Sequence, residues 1–220
     1  MAQTTHIKIC GIRTAEAAEA AIGAGADMVG LVFVDESPRA VPIEDAIEVA
    51  RQVAGRAEVV GLFKGNSFAE IHECISGVPL SMLQLHGPMT PDHVRELAPI
   101  HFLRAVPFRD ATFESDLRRW DEFHRHDARM VALIVDTPDP TKIGGGTGKA
   151  FDWSALRQVL DEVQPRVPIM LAGGLTPENV AEAIRVVRPW GVDVSSGVES
   201  SRGVKDMAKI RAFCQAARNV

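Results

Sequence analysis

The 220-residue sequence predicts a (β/α)8 barrel, the TIM-barrel architecture. Short β-branched runs alternate with helical patterns along the whole chain, which is typical of repeated βα units and a parallel sheet. Eight such units fit in the chain at fewer than about 30 residues each, the size expected for this barrel. No linker rich in Pro, Gly or Ser divides the sequence. Residues 1–220 are therefore expected to form a single barrel domain.

The strand candidates are short and apolar, as expected for strands that helices cover. In chain order they are His6–Cys10, Met28–Phe33, Val59–Phe63, Met82–Leu85, Phe102–Val106, Val131–Asp136, Ile169–Ala172 and Val192–Ser195. Ser67 and Glu70 predict a capping box at the start of the third helix, and Thr176-Pro177 predicts the start of the seventh.

A doubly wound open sheet is the alternative fold. That fold normally carries a glycine-rich dinucleotide-binding turn after its first strand. Here the first strand is followed by the residues Cys10-Gly11-Ile12-Arg13-Thr14, which lack that pattern. The sequence therefore favours the closed barrel.

Composition restricts the class of protein. The chain is 46% hydrophobic and 24% charged with a net charge of −5, which fits a soluble globular protein and gives no reason to expect a nucleic-acid partner. The segment MAQTTHIKIC is too short and polar for a signal peptide, and no apolar run reaches the roughly 18 residues of a membrane span. The three cysteines lack the spacing of a zinc site, which favours a reducing compartment. We expect a cytoplasmic protein without a membrane partner.

Barrel enzymes place their active sites where the strands end, so polar residues at those ends are the candidates. In chain order they are Cys10, Arg39, Lys64, Asn66, His86, Arg104, Asp136, Gly173, Gly174, Asp193, Ser195, Ser196 and Gly197.

The turns after strands seven and eight predict a phosphate site. Backbone amides of glycine-rich turns approach phosphate closely, and barrels often use these two loops for that purpose. Gly173-Gly174 and Ser195-Ser196-Gly197 fit the pattern. Gly173-Gly174 alone would fit a tight βα turn equally well, but the pair of turns favours a phosphorylated substrate.

Four side chains have both a chemical and a structural interpretation. Cys10 and Asp136 end strands on different parts of the barrel and would suit a general base and a general acid. The structural alternative for Cys10 is a buried hydrophobic residue, as most free cysteines are. The structural alternative for Asp136 is a hydrogen bond that stabilises the turn at Thr-Pro. His86 would orient substrate or lie in the core. Arg39 would bind a substrate carboxylate with two hydrogen bonds or lie on the surface.

The long irregular stretch Thr137–Ala150 follows strand six, on the catalytic side of the predicted barrel. Loops of this length in a compact barrel are usually functional or disordered. A lid over the site is the favoured interpretation, and an ordinary flexible loop is the alternative.

The sequence resembles the phosphoribosylanthranilate isomerase family of tryptophan biosynthesis across nearly its whole length. The motifs that carry the resemblance are KICGIRT, LVFVDESPRAV, VGLFKGN, LQLHG, VDTPDPTKIGGGTGKAFDW, LAGGLTPENV and GVDVSSGVESSRGVKD. They occur in the family's order at all but one of the strand ends, and strand five contributes least.

The resemblance implies an Amadori rearrangement of N-(5-phosphoribosyl)anthranilate to 1-(2-carboxyphenylamino)-1-deoxyribulose 5-phosphate, with no metal and no organic cofactor. It assigns Cys10 as general base and Asp136 as general acid. Arg39 would bind the anthranilate carboxylate and Asp193 the sugar. The phosphate would lie on Gly173, Gly174, Ser195, Ser196 and Gly197. The substrate would be the small-molecule partner, and the enzyme would be a monomer or homodimer.

Two departures from the family pattern stand out. Arg13 follows CGI where relatives carry a small or polar residue, and an extra glycine lengthens GGTG to GGGTG. One rival function is the histidine-pathway sugar phosphate isomerase, which would need a carboxylate in place of Cys10. Another is a non-catalytic barrel that binds a ligand or docks against a pathway enzyme.

Overall fold

A computed structural model of the chain describes residues 4–97, 99–108, 112–136 and 152–220. Eight parallel strands form a closed barrel in which each strand pairs with the next and the eighth pairs with the first. They are β1 (His6–Cys10), β2 (Met28–Val32), β3 (Glu58–Lys64), β4 (Met82–His86), β5 (His101–Pro107), β6 (Met130–Asp136), β7 (Ile169–Leu171) and β8 (Gly191–Val194). The predicted barrel is confirmed, and its closure rules out the doubly wound open sheet.

Helices follow the strands and cover the outside of the barrel. Those in the described part of the chain are α1 (Ala15–Gly23), α2 (Ile43–Val53), α3 (Phe68–Gly77), α4 (Pro91–Arg95), α5 (Phe113–His126), α6 (Trp153–Val163), α7 (Val180–Val187) and α8 (Met207–Arg218). None of these helices has the length and apolar character that a membrane crossing requires. The predicted lid over residues 137–150 lies outside the described residues.

One predicted helix start is confirmed and another is wrong. The Ser67 side chain accepts from the Glu70 N–H, and the Glu70 carboxylate accepts from the Ser67 N–H at 2.6 Å, which completes the capping box of α3. Helix α7, however, begins at Val180 rather than at Thr176-Pro177. The Asn179 side chain accepts from the Thr176 N–H at 2.8 Å and stabilises a turn before the helix.

Successive residues of each strand face opposite sides of the barrel wall. On β1, Ile7 and Ile9 pack outward against the helices, whereas Lys8 and Cys10 face the interior. Apolar side chains fill the lower interior: Met28, Val60, Met82, Leu103, Ala105, Ala132, Ile134, Met170 and Ala172. The polar interior residues therefore gather near the carboxyl ends of the strands, where the barrel opens.

A small antiparallel hairpin follows the last barrel strand. Its strands are β9 (Glu199–Ser201) and β10 (Val204–Lys205), and a short 3-10 turn, Ser196–Val198, connects it to the end of β8. Glu199 and Lys205 are both buried although the hairpin lies outside the barrel wall. The sequence did not predict this element, and it places two charged side chains beside the open end of the barrel.

Candidate active site

A cleft opens at the carboxyl ends of the strands. Its lining includes eleven of the thirteen strand-end candidates: Cys10, Arg39, Lys64, His86, Asp136, Gly173, Gly174, Asp193, Ser195, Ser196 and Gly197. These residues come from positions spread over nearly the whole chain, and barrel closure brings their strands together. The structure therefore places the predicted site residues in one cavity.

The turns after β7 and β8 lie in direct contact. Gly173 and Gly174 have φ angles of 84° and 67°, a conformation that only glycine adopts without strain. A Cβ atom added to Gly197 would lie 1.9 Å from the carbonyl oxygen of Leu175. The two turns thus approach each other as closely as backbone atoms allow, and together they form one backbone-lined wall of the cleft.

We expect Gly197→Ala to force these two turns apart. Because the added Cβ meets backbone rather than a flexible side chain, the free energy of unfolding should fall by about 1–3 kcal/mol. Urea unfolding, with titration of inorganic phosphate, measures both stability and anion binding. Gly23→Ala is the matched control, since no atom lies within 4 Å of the Cβ it would add. Equal stability of the two variants would contradict the prediction.

Cys10 lies beside a buried ion pair. Lys8 is fully buried, and its Nζ donates to Asp193 Oδ1 at 2.9 Å. A Cβ added to Gly30 would lie 3.0 Å from Cys10 Sγ and 3.1 Å from Lys8 Nζ, so the sulfur and the ammonium flank the same backbone position. Burial raises the pKa of the Cys10 thiol, while the Lys8 and Lys205 cations oppose that rise.

Asp136 is the last residue of β6, is partly buried and lines the cleft. Its backbone oxygen accepts from the Phe108 N–H at 2.9 Å, which fixes the strand end against the end of β5. Val32, Val34 and Leu62 provide an apolar surface next to Cys10 in the same cleft. The cavity thus has a polar side and an apolar side.

Arg39 is buried and paired. Its Nε and Nη2 donate to the two carboxylate oxygens of Glu199 at 2.6 and 3.0 Å. Lys205 Nζ lies 3.1 Å from the same carboxylate. Burial opposes ionisation of Glu199, but the hydrogen bond from Arg39 and the charge of Lys205 hold its pKa below the ordinary value. The alternative interpretation of Arg39, as a surface residue, is therefore wrong.

His86 enters the cleft from the end of β4. Its Nε2 lies 2.6 Å from the side-chain amide of Gln84, and the two groups share a hydrogen bond. Burial, together with the positive charges of Arg104, Lys8 and Lys64, lowers the His86 pKa well below its ordinary value. At neutral pH the imidazole is therefore uncharged, and it can orient a ligand without adding positive charge to the site.

The prediction that Arg104 lies in the active site, made because it is near the end of β5, is wrong. Leu103 and Ala105 occupy the interior face of β5, so Arg104 points outward, with its guanidinium 5.1 Å from the Trp120 ring centroid. It donates to the carbonyl oxygens of Leu85 and Gly87 at 2.8 and 2.6 Å. Arg104 therefore holds the backbone on both sides of His86 from outside the barrel.

Asn66 also lies outside the cleft lining, since its side chain accepts from the Lys64 N–H at 3.0 Å within the turn after β3. Lys64 itself lines the cleft. Among the described residues, no group of three or more His, Cys, Asp or Glu side chains is arranged to hold a metal ion.

The sequence reasoning missed four polar residues in or directly behind the cleft lining: Lys8, Gln84, Glu199 and Lys205. The first two had a readable signal, because Lys8 shares the strand face of Cys10 and Gln84 that of His86 at a spacing of two residues. Glu199 and Lys205 had none, because the hairpin that pairs them was not predicted and the Arg39 partner of Glu199 lies 160 residues away in the sequence.

Comparison with known proteins agrees with this geometry. A family model described as N-(5'-phosphoribosyl)anthranilate (PRA) isomerase matches residues 7–216. Similar relatives named N-(5'-phosphoribosyl)anthranilate isomerase include one from Pseudomonas fluorescens strain Pf0-1, 42% identical over 96% of this chain and 97% of its own. Another, from Roseiflexus castenholzii, is 45% identical over 96% of this chain and 97% of its own.

Solved structures give the same result. The phosphoribosyl anthranilate isomerase of Thermotoga maritima superposes with a TM-score of 0.84 at 36% identity, covering 99% of this chain and all of the other. A second isomerase structure, in complex with reduced 1-(o-carboxyphenylamino)-1-deoxyribulose 5-phosphate, has a TM-score of 0.81 at 33% identity and the same coverage. With its barrel, its cleft and a family match that spans nearly the full length, the chain belongs to the N-(5'-phosphoribosyl)anthranilate isomerase family.

Proposed function

We propose that this protein isomerises N-(5'-phosphoribosyl)anthranilate to 1-(2-carboxyphenylamino)-1-deoxyribulose 5-phosphate in tryptophan biosynthesis, with Cys10 as general base and Asp136 as general acid. The observation that carries the proposal is a single cleft that both side chains line together with the predicted anion-binding groups. The family match supports the choice of substrate. The earlier expectations of one domain, a cytoplasmic location and a monomer or homodimer stay predictions.

The substrate has two anionic ends, and the cleft offers a partner for each. Arg39 would bind the anthranilate carboxylate, since a guanidinium matches a carboxylate with two parallel hydrogen bonds. The aromatic ring would pack on Val32, Val34 and Leu62. The turns at Gly173-Gly174 and Ser195-Ser196-Gly197 would bind the phosphate through backbone amides. Holding both ends fixes the ribose between the proposed acid and base.

The reaction needs two proton transfers. Asp136 would donate a proton to the ribose ring oxygen as the bond between that oxygen and C1 breaks, and the nitrogen lone pair then forms an iminium. The positive charge acidifies the C2–H bond, and Cys10 would remove that proton to give an enolamine. Tautomerisation of the enolamine yields the ketose. The substrate nitrogen acts as the electron sink, so these steps need only a positioned acid and base.

The remaining groups of the cleft would orient the sugar. Asp193 would contact the ribose hydroxyls while its Oδ1 stays paired with Lys8. Neutral His86 would offer a hydrogen bond without attracting the phosphate or the carboxylate away from their sites. Both roles are proposals that rest on the position of these side chains in the cleft.

The buried Cys10 thiol predicts an unusual pH dependence. The reactive form of the enzyme has a thiolate on Cys10 and a proton on Asp136. This form carries the same number of protons as the form with a neutral Cys10 thiol and an Asp136 carboxylate, so pH does not change the ratio of the two. Burial raises the pKa of Cys10, so the shared proton lies mostly on sulfur in the free enzyme. We therefore expect kcat/KM to fall at alkaline pH, above the ordinary pKa of a thiol, because that proton is then lost from the pair.

The pH profile of kcat/KM, compared with the rate of thiol alkylation, checks this prediction. Lys8, Asp193 and Lys205 surround Cys10, and burial lowers the pKa of Lys205. The alkaline fall of kcat/KM can therefore be assigned to Cys10 only by titrating the sulfur directly. Cys74→Ser and Cys214→Ser, which remove the other two thiols, confine alkylation to Cys10. A kcat/KM that rises through the alkylation pKa would contradict the scheme.

Turnover by the purified chain tests the function itself. Phosphoribosylanthranilate generated in the assay should be consumed, with loss of its fluorescence, at a rate proportional to the concentration of the chain. A folded chain that binds a phosphorylated sugar without turning over this substrate would overturn the proposed function and leave only a ligand-binding barrel.

A further inference from the structure

The hairpin after β8 places two buried charges directly behind the cleft lining. Glu199 begins β9 and Lys205 ends β10, and both are less than 10% exposed, at 8% and 7%. Burying a carboxylate and an ammonium is costly unless they are paired with good geometry. Here the two are paired with each other, and each also contacts a residue of the cleft lining: Glu199 contacts Arg39, and Lys205 contacts Ser195.

The contact of Glu199 with Arg39 uses one particular edge of the guanidinium. That group has two edges able to bind a carboxylate side by side: one formed by Nε and Nη2, the other by Nη1 and Nη2. Glu199 takes the first edge, at 2.6 and 3.0 Å. Among the described residues, Nη1 makes no hydrogen bond, and Arg39 lines the cleft. A whole edge of Arg39 thus stays available for a second carboxylate.

Lys205 connects the same carboxylate to the turn after β8. Its Nζ lies 3.1 Å from Glu199 Oε1 and 2.9 Å from the backbone oxygen of Ser195. Arg39, Glu199 and Lys205 together carry one net positive charge. That charge suits an anionic ligand, whereas the Arg39–Glu199 pair without Lys205 would be neutral.

The turn of the hairpin is equally close to the Arg39 loop. The Gly203 N–H donates to Glu199 Oε2 at 3.1 Å, and a Cβ added to Gly203 would lie 2.3 Å from the carbonyl oxygen of Pro38. The residue that precedes Arg39 is thus in direct backbone contact with the hairpin. The hairpin therefore fixes both the guanidinium of Arg39 and the backbone that carries it.

We propose that Glu199 and Lys205 are positioning residues that make the hairpin a specificity determinant for aryl substrates with an ortho carboxylate. Glu199 holds Arg39 by one edge so that the other edge meets the aromatic carboxylate, and Lys205 fixes this arrangement relative to the Ser195 turn. The inference rests on the proposed function, because it assumes that Arg39 binds that carboxylate.

Glu199→Gln, which keeps the size of the side chain and removes its charge, tests the inference through ligand discrimination. Two ligands are compared: the reduced product 1-(o-carboxyphenylamino)-1-deoxyribulose 5-phosphate and its phenylamino analogue without the carboxylate. Removing the charge of one partner of a buried charge pair usually causes a large loss of binding affinity. We expect affinity for the carboxylated ligand to fall about tenfold or more, and affinity for the analogue to change less than about twofold. KM for the substrate should rise while kcat is largely retained.

A double-mutant cycle separates positioning from general damage. In an Arg39→Met background, Glu199→Gln should cause no further loss of discrimination, because the edge that it positions is gone. Glu19→Gln is the matched control: Glu19 makes a similar two-pronged contact with Arg56 on the exterior, and its loss should change neither affinity. If Glu199→Gln folds poorly, Glu199→Asp keeps the charge and should retain more discrimination.

Equal losses for both ligands, or a loss that persists without Arg39, would overturn the inference. The binding measurements do not require turnover. An inert wild type that still distinguishes the two ligands would therefore refute the proposed reaction alone, whereas an active wild type with no selective loss in Glu199→Gln would refute the role of the hairpin alone.

Discussion

Cys10→Ser and Asp136→Asn are each expected to lower kcat by about 100-fold to 10,000-fold, the usual contribution of a positioned general base or acid. Serine keeps the shape of cysteine but does not ionise in the accessible pH range, so removal of the C2 proton should fail. Asparagine keeps the shape of aspartate but cannot donate a carboxylic proton to the ring oxygen. Neither side chain is proposed to bind an anionic end of the substrate, so KM should change little.

Steady-state turnover of the two variants, with circular dichroism to verify folding, measures the effect. Cys74→Ser is the matched control, because Cys74 is also buried but lies on α3, outside the cleft lining. Its burial raises the thiol pKa to about 12, so it has no thiolate to lose at neutral pH. A folded Cys10→Ser enzyme with full activity would remove Cys10 from the mechanism and favour a carboxylate base.

Lys8→Met is expected to lower the free energy of unfolding by about 3–5 kcal/mol, the usual effect of leaving one charge of a buried pair without its partner. Lys8 and Asp193 are both buried and 2.9 Å apart, so the Asp193 carboxylate would lose the cation that compensates its burial. The pair joins the first barrel strand to the last. Its loss therefore weakens the barrel where the two ends of the sheet meet.

Urea unfolding of Lys8→Met, Asp193→Asn and the double variant measures this effect. The double variant should be more stable than Lys8→Met alone, because it leaves no uncompensated carboxylate. A Lys8→Met protein as stable as wild type would show that Asp193 finds another partner. Alkylation of Cys10 provides a second readout: Lys8 lowers the pKa of that thiol, so its removal should slow the reaction at a given pH.

Most of the fold could be predicted from the sequence, because strands and helices have local sequence patterns. Each predicted strand end lies within one residue of the observed one, since a buried parallel strand is a short apolar run bounded by turn residues. The start of α7 was misplaced because the Asn179 side chain accepts from the Thr176 N–H and stabilises a turn before the helix, a contact that the Thr-Pro pattern does not reveal.

The site was predictable wherever strand ends alone decide position. Cys10, Asp136 and His86 end their strands on the inner face, so closure of the barrel brings them into the cleft. Arg104 failed the same reasoning because strand-end polarity says nothing about which side of the wall a residue faces. The Arg39–Glu199 contact spans 160 residues of sequence and depends on a hairpin outside the barrel repeat, so no local pattern reveals it.

Closure of the barrel between β1 and β8 also sets an order of assembly during synthesis. Cys10 is translated long before Asp193, Ser195 and Lys205, the groups that surround it. Arg218 of the final helix then donates to the Thr5 backbone oxygen and ties the two extremes of the fold together. A nascent chain halted before β8 therefore exposes an unpaired edge of β1 and has no functional cleft, however well its first seven units have folded.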